Sequence, residues 1–124
     1  MGRALSRALL EKGFTVRVLT RRAPALRLEG AAYAETDFSD MESLKRALAG
    51  ADAAVHLAAA LFCRSKEDFL RANARGTANL AAAAGATPTL KKLVYVSSLA
   101  AGGPSSAEAP RTEAEKEAPV SFTG

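Results

Sequence analysis

The stretch from Leu90 to Pro104 constrains this chain more than any other. Lys91 and Lys92 lead into the apolar block Leu93-Val94-Tyr95-Val96, which stops at Ser97-Ser98; Gly102, Gly103 and Pro104 follow. A short apolar run bounded by turn residues predicts a buried strand of a parallel sheet. In open α/β sheets the carboxyl ends of such strands face the ligand crevice. Ser97 and Ser98 therefore stand where a hydroxyl meets a bound substrate; the alternative is that they only satisfy backbone groups in the turn.

The rest of the chain alternates around that strand. Residues 2–13 place Leu5, Ala8, Leu9 and Lys12 on one helical face, with Gly13 as the C-terminal cap. Residues 14–20 alternate and are β-branched, which predicts a strand. Arg21, Arg22 and Pro24 form a loop, and residues 24–29 a short helix. A weak second strand spans 31–36 and ends at Asp37. Ser39-Asp-Met-Glu42 fits a capping box opening a helix that runs to Gly50. A third strand covers 52–58. The longest helix, 66–84, carries Phe69, Leu70, Asn73, Thr77, Leu80 and Ala84 at helical spacing. Gly76 inside it costs about 1 kcal/mol against Ala, which predicts a close backbone approach by another element. Gly85 and Pro88 end it. After Pro104 the Ser, Ala, Glu and Pro composition predicts an exposed loop. Such alternation argues for a parallel sheet covered on both faces, in one domain spanning 1–124.

Composition bounds what the domain meets. With 124 residues, 48% of them hydrophobic and 24% charged, the chain has the balance of an ordinary globular domain. No apolar run approaches the ~18 residues of a membrane span, and Arg3, Arg7, Glu11 and Lys12 break up any signal-peptide pattern. The one cysteine, Cys63, excludes an internal disulfide and fits a reducing cytoplasm; it reads as a small residue rather than a nucleophile. No His, Cys or acidic cluster has metal spacing. Residues 1–30 hold seven Arg/Lys against Glu11 and Glu29, a local +5 within a net charge of +4. No basic run with interleaved aromatics accompanies them, so nucleic acid is not the expected partner.

Five segments come in a shared order: Gly2-(x)10-Gly13-Phe-Thr-Val-Arg-Val-Leu-Thr-Arg21, Asp37-Phe-Ser-Asp40, Val55-His-Leu-Ala-Ala59, Asn73-Ala-Arg-Gly-Thr-Ala-Asn-Leu80 and Val94-Tyr-Val-Ser-Ser98. In order and spacing they resemble the extended short-chain dehydrogenase/reductases, the NAD-dependent epimerase/dehydratase-like family, along nearly the whole chain. The resemblance implies a Rossmann-like, doubly wound parallel α/β sheet that binds NAD or NADP.

Two departures matter. The family opens with a strand and a G-x-x-G-x-x-G turn, and Gly2 resembles only the last of those glycines. In the family that strand lies between the strands matching 14–20 and 52–58, so both lose a neighbour here. Roughly five ladder bonds lost per edge, at roughly 1 kcal/mol each, rival the ~5–15 kcal/mol of a whole domain. The expectation is an N-terminally shortened piece, or one whose strand another chain supplies. At the other end the family continues into Tyr-x-x-x-Lys. Here Thr123 stands at the Tyr position with no Lys after it, and a Thr hydroxyl is a poor acid or base near neutral pH. The family's C-terminal, substrate-binding half is absent as well.

The resemblance assigns roles residue by residue. Thr20, Arg21 and Arg22 follow the first strand, where an acid would bind the ribose 2′-hydroxyl of NAD. A neutral residue followed by two guanidiniums suits the 2′-phosphate of NADP instead; the alternative is that both arginines solvate a loop. Asp37 resembles the acid that reaches the adenine amine, with Phe38 beside the ring, or else ends a strand in a turn. Leu57, Ala58 and Ala59 resemble the segment under the cofactor's ribose, with His56 structural. Asn73 resembles a helix Asn that stabilises active-site backbone, and Ser98 a substrate-orienting serine. The implied function is an NADP-dependent (alternatively NAD-dependent) oxidoreductase or epimerase acting on a sugar nucleotide or small carbonyl. A non-catalytic nucleotide-binding sensor and an inactive fragment are the alternatives, with weak or no NADPH binding expected. A homodimer would pack on the long helix around Gly76.

Overall fold

The computed structural model describes residues 1–22 and 24–120; Thr123 lies outside them. The chain opens with helix α1 (Gly2–Glu11), followed by strands β1 (Arg17–Thr20) and β2 (Ala32–Glu35), helix α2 (Met41–Leu48) and strand β3 (Ala53–His56). Helix α3 (Lys66–Leu70), a π-helical turn (Arg71–Arg75) and α4 (Gly76–Gly85) run on from one another; strand β4 (Lys92–Tyr95) and the short α5 (Leu99–Gly102) complete the order.

Local chemistry sets the element ends. Gly13, at φ +83°, stops α1 in a Schellman arrangement: its N–H donates to Leu10 O and that of Phe14 to Leu9 O. Helix α2 is capped by Asp40, whose Oδ1 accepts from Glu42 N at 3.0 Å and Ser43 N at 3.2 Å. The capping box expected from Ser39 does not form, because Ser39 bonds back to Asp37. Residues 24–29 form no helix; Leu28 N instead donates to the Tyr33 hydroxyl at 2.9 Å, and the Arg27 guanidinium lies over the Tyr33 ring. The strands are shorter than the apolar runs that predict them, four residues each.

The strands form two parallel pairs rather than one continuous ladder. β1 pairs with β2 from Arg17↔Ala32 to Thr20↔Glu35, and β3 with β4 from Ala53↔Lys92 to His56↔Tyr95; no ladder joins the pairs. One layer of helices unites them. Leu44 and Leu48 of α2 and Leu80, Ala83 and Ala84 of α4 form the buried core. Leu19 of β1, Ala54 of β3 and Leu93 of β4 pack onto it. On the same face the Arg17 guanidinium donates from Nη1 to the carbonyls of Ala47 (2.8 Å) and Ala49 (2.9 Å), where the dipole of α2 is negative.

The two faces of β3 and β4 are covered unequally within the described residues. Val55, Val94 and Val96 alternate onto the face away from α2 and α4, and about two-fifths of each is exposed. The close approach expected at Gly76 comes from a side chain, not backbone. A Cβ there would sit 3.5 Å from Phe38 Cβ, an ordinary contact. Gly76 is buried within the chain, so it is not a free packing face.

Candidate functional site

Most of the residues singled out above lie just beyond the carboxyl ends of the strands; Gly2 instead opens α1, and Asn73 lies in the π-helical turn. At the β1–β2 end, Thr20 closes β1 and its hydroxyl donates to the Arg22 carbonyl, tightening the turn that carries Arg21 and Arg22 outward. An open cavity of about 480 Å³ is lined by Arg21, Glu35, Thr36 and Asp37. A second, of about 410 Å³, is lined by Arg21 and Arg22. Both are open to solvent along much of their rim. Glu35 and Thr36 were not foreseen as lining; their place as the residues just before Asp37 was the available signal.

Asp37 has its carboxyl held below the usual carboxylate range. The Ser39 backbone N–H is the main cause, the Ser39 hydroxyl the next, and the Arg21 charge adds to them. Both Ser39 bonds, at 2.8 and 2.7 Å, land on Oδ1. Oδ2 is thus left to take an incoming donor such as an adenine amine, while Arg21 beside it can take an anion. The strand-ending turn and the ligand role are compatible, since they use different oxygens.

At the β3–β4 end the chemistry is that of backbone and small side chains. Leu57 is half-buried, and Ala58 and Ala59 are exposed, so backbone there is open to a ligand. Asn73 clamps the end of this segment. Its Oδ1 accepts from Ala60 N at 2.8 Å, and its Nδ2 donates to Ala60 O at 3.0 Å. The wide π-helical turn around Asn73 lies where helix α3 passes into α4, and such turns recur at functional sites. With its carboxamide committed to Ala60, Asn73 acts on the loop rather than on a ligand directly.

His56 ends β3, buried, with Nε2 2.9 Å from Thr77 Oγ1; burial lowers its pKa, favouring the neutral ring. Thr77 escaped the residue-level reading, although its i+4 spacing from Asn73 puts both on one helical face. On the neighbouring exit Ser97 and Ser98 are exposed, and Ser98 Oγ accepts from Ala100 N at 3.2 Å, capping α5. Gly2 opens α1, whose amino end has no side-chain cap, and a Cβ at Gly2 would meet open space. No observed contact joins Gly2 or Ser98 to the Arg21–Asp37 cavity. Among the described residues no group of three metal-ligating side chains occurs, and no helix is long and apolar enough to cross a membrane.

Comparison with known proteins follows the same lines. A family model described as the NAD dependent epimerase/dehydratase family matches residues 1–123. A ceramide reductase of Caulobacter vibrioides is 38% identical over 114 residues, covering 85% of this chain and 33% of that protein. A short-chain dehydrogenase/reductase superfamily protein from Agrobacterium tumefaciens, solved with bound NAD, superposes with TM-score 0.81 at 27% identity, over 98% of this chain and 37% of its own. UDP-N-acetylglucosamine 4-epimerase from Bacillus cereus superposes with TM-score 0.80 at 28% identity, over 99% of this chain and 44% of its own. The chain thus spans between a third and a half of the length of these relatives. The Rossmann-like architecture of parallel strands with covering helices is the fold they share.

Proposed function

The chain belongs to the NAD dependent epimerase/dehydratase family, and from that premise we propose that residues 1–124 are the dinucleotide-binding part of an oxidoreductase or epimerase. The substrate is a sugar nucleotide or a small carbonyl compound. The observation that carries this reading is the cavity beyond β1 and β2, where Arg21 and the free oxygen of Asp37 stand together. The residues present fit the adenosine half of the cofactor: Asp37 for the adenine amine, Thr20, Arg21 and Arg22 for the ribose edge, and Leu57–Ala59 for the ribose further along. The cofactor supplies hydride chemistry when bound; the chain's own residues bind and orient it.

Thr20 with two guanidiniums favours the 2′-phosphate of NADP over the 2′-hydroxyl of NAD. The ceramide reductase and the UDP-N-acetylglucosamine 4-epimerase support reduction and epimerisation alike. Ser98 serves as the substrate-side hydroxyl in this reading. Thr123, in place of a tyrosine, favours the second reading, a sensor that binds the nucleotide without turning it over. Self-association through the exposed Ala78, Ala81 and Ala82 side of α4 belongs to the same proposal, and sedimentation tests it.

NMR titration with adenosine 5′-monophosphate and adenosine 2′,5′-bisphosphate tests the cofactor assignment. The bisphosphate should bind roughly tenfold more tightly, through charge-assisted bonds to the 2′-phosphate. The double variant Arg21→Ala/Arg22→Ala should erase the difference. Equal affinities would overturn the NADP preference, and signals unmoved around Arg21 and Asp37 would overturn the site.

A further inference from the structure

We propose that His56 and Thr77 form a positioning pair that sets the spacing between the two walls of the cofactor cleft. One wall is Asp37–Phe38 beyond β2; the other is Leu57–Ala60 beyond β3. The inference rests on the site described under the proposed function and adds how that site is held open at one width.

In a continuous sheet the distance between neighbouring strand exits follows from the ladder. The two walls here follow β2 and β3, which are not ladder neighbours, and side chains lie between them. His56 occupies the junction. It is 5% exposed and immediately precedes Leu57. Its ring meets the Phe38 ring edge-on, with centroids 5.5 Å apart at 78°, and stacks on Tyr95 at 5.5 Å and 26°. The ring is therefore a spacer between the two walls, in the offset and edge-to-face contacts that aromatic pairs favour.

A spacer works only if its orientation is pinned, and Thr77 does this through the 2.9 Å bond to Nε2. The same stretch of helix holds the opposite wall. Gly76 packs on the Phe38 side chain, and Asn79 Nδ2 donates to Phe38 O at 2.9 Å. Asn73, one turn earlier, holds Ala60 at both its amide and its carbonyl. Residues 73–79 thus grip both walls from one rigid element. Buried between Phe38 and Tyr95, His56 does not reach a ligand, and its role runs through what it separates.

Three variants of the whole chain test the pair. Thr77→Val removes the hydroxyl at nearly constant volume. Thr77→Ser keeps it. Thr87→Val removes a comparable buried hydroxyl, the one donating to Ala83 O at 2.8 Å, away from both walls. Thr77→Val is expected to weaken adenosine 2′,5′-bisphosphate binding roughly three- to tenfold, and to shift the Phe38 and Leu57–Ala59 amide signals together. Thr77→Ser should restore both within about twofold, and Thr87→Val should change neither, although urea denaturation is expected to find it destabilised. Normal binding and unmoved wall signals in Thr77→Val would overturn the pair, as would failure of Thr77→Ser to restore them. The amide comparison needs no ligand, so it decides the pairing even where the bisphosphate leaves the wild-type Arg21 and Asp37 signals unmoved and the site reading itself fails. Should Thr77→Val not fold, the wild-type His56 ring serves instead: nuclear Overhauser contacts from it to both the Phe38 and Tyr95 rings are expected, and their absence would overturn the proposal.

Discussion

The β1–β2 and β3–β4 pairs are both parallel and both four residues long, yet they end in different chemistry. Beyond β1 and β2 come Arg21, Arg22 and Asp37; beyond β3 and β4 come Leu57-Ala58-Ala59 and Ser97-Ser98. Charged groups with free polar atoms can recognise a ligand by side chain. Small residues let a ligand lie against backbone, and they need a clamp to hold that backbone still, which Asn73 supplies. The pairs also differ in how they are covered. α2 and α4 shield one face of both, while the other face of β3–β4 leaves its valines partly open. A shared helical layer thus carries two half-sheets whose exits differ in chemistry.

The largest expected effect asks whether the two halves are one cooperative unit. Leu44 is fully buried in the layer common to both. Leu44→Ala should cost about 2–5 kcal/mol, and circular dichroism and amide signals should report one shared urea transition. Separate transitions for the β1–β2 and β3–β4 residues would break the comparison at its root. Next in size, Asn73→Ala should cost about 1–3 kcal/mol by orphaning the Ala60 amide and carbonyl. Hydrogen exchange should quicken at Ala60 and leave residues 17–20 unchanged; loosening in both places would show the clamp is not local. Asp40→Ala should cost about 1 kcal/mol through the lost cap of α2, with urea midpoints of the two pairs falling equally because α2 serves both. The smallest effect is a pH dependence of the shared transition that originates on the β3–β4 side. His56 has a folded pKa below its unfolded value, so the unfolded chain binds the extra proton. Stability is then complete above about pH 6.5 and declines as pH falls through the window below it. His56→Phe should flatten that decline, as urea midpoints measured across pH would show.

Much of this was legible in residue order. The alternation of amphipathic and β-branched segments carries the element sequence, and the missing neighbour between residues 14–20 and 52–58 anticipates two pairs without a common ladder. What escaped depends on competition between nearby groups. Ser39 and Asp40 are both good caps, and Asp37 decides between them by engaging Ser39 first. The 66–84 segment reads as uniform helix because a π-helical turn leaves the apolar spacing almost intact. The bond from His56 to Thr77 spans 21 positions and has no local signature. Exposure of Val55, Val94 and Val96 could not be read from their hydrophobicity, since covering a strand depends on its neighbours and not on the strand.

Arg17 has a consequence for alignment. A pair of strands only four residues long has few ladder bonds to fix its alignment, and a slip of one residue turns every side chain to the other side. Such a slip would swing the guanidinium off the carbonyls of Ala47 and Ala49 and strand a cation on the wrong surface. One long polar side chain therefore acts as the key that indexes β1 against its partner. The height at which β1 delivers Thr20, Arg21 and Arg22 is thus dictated from the far end of α2.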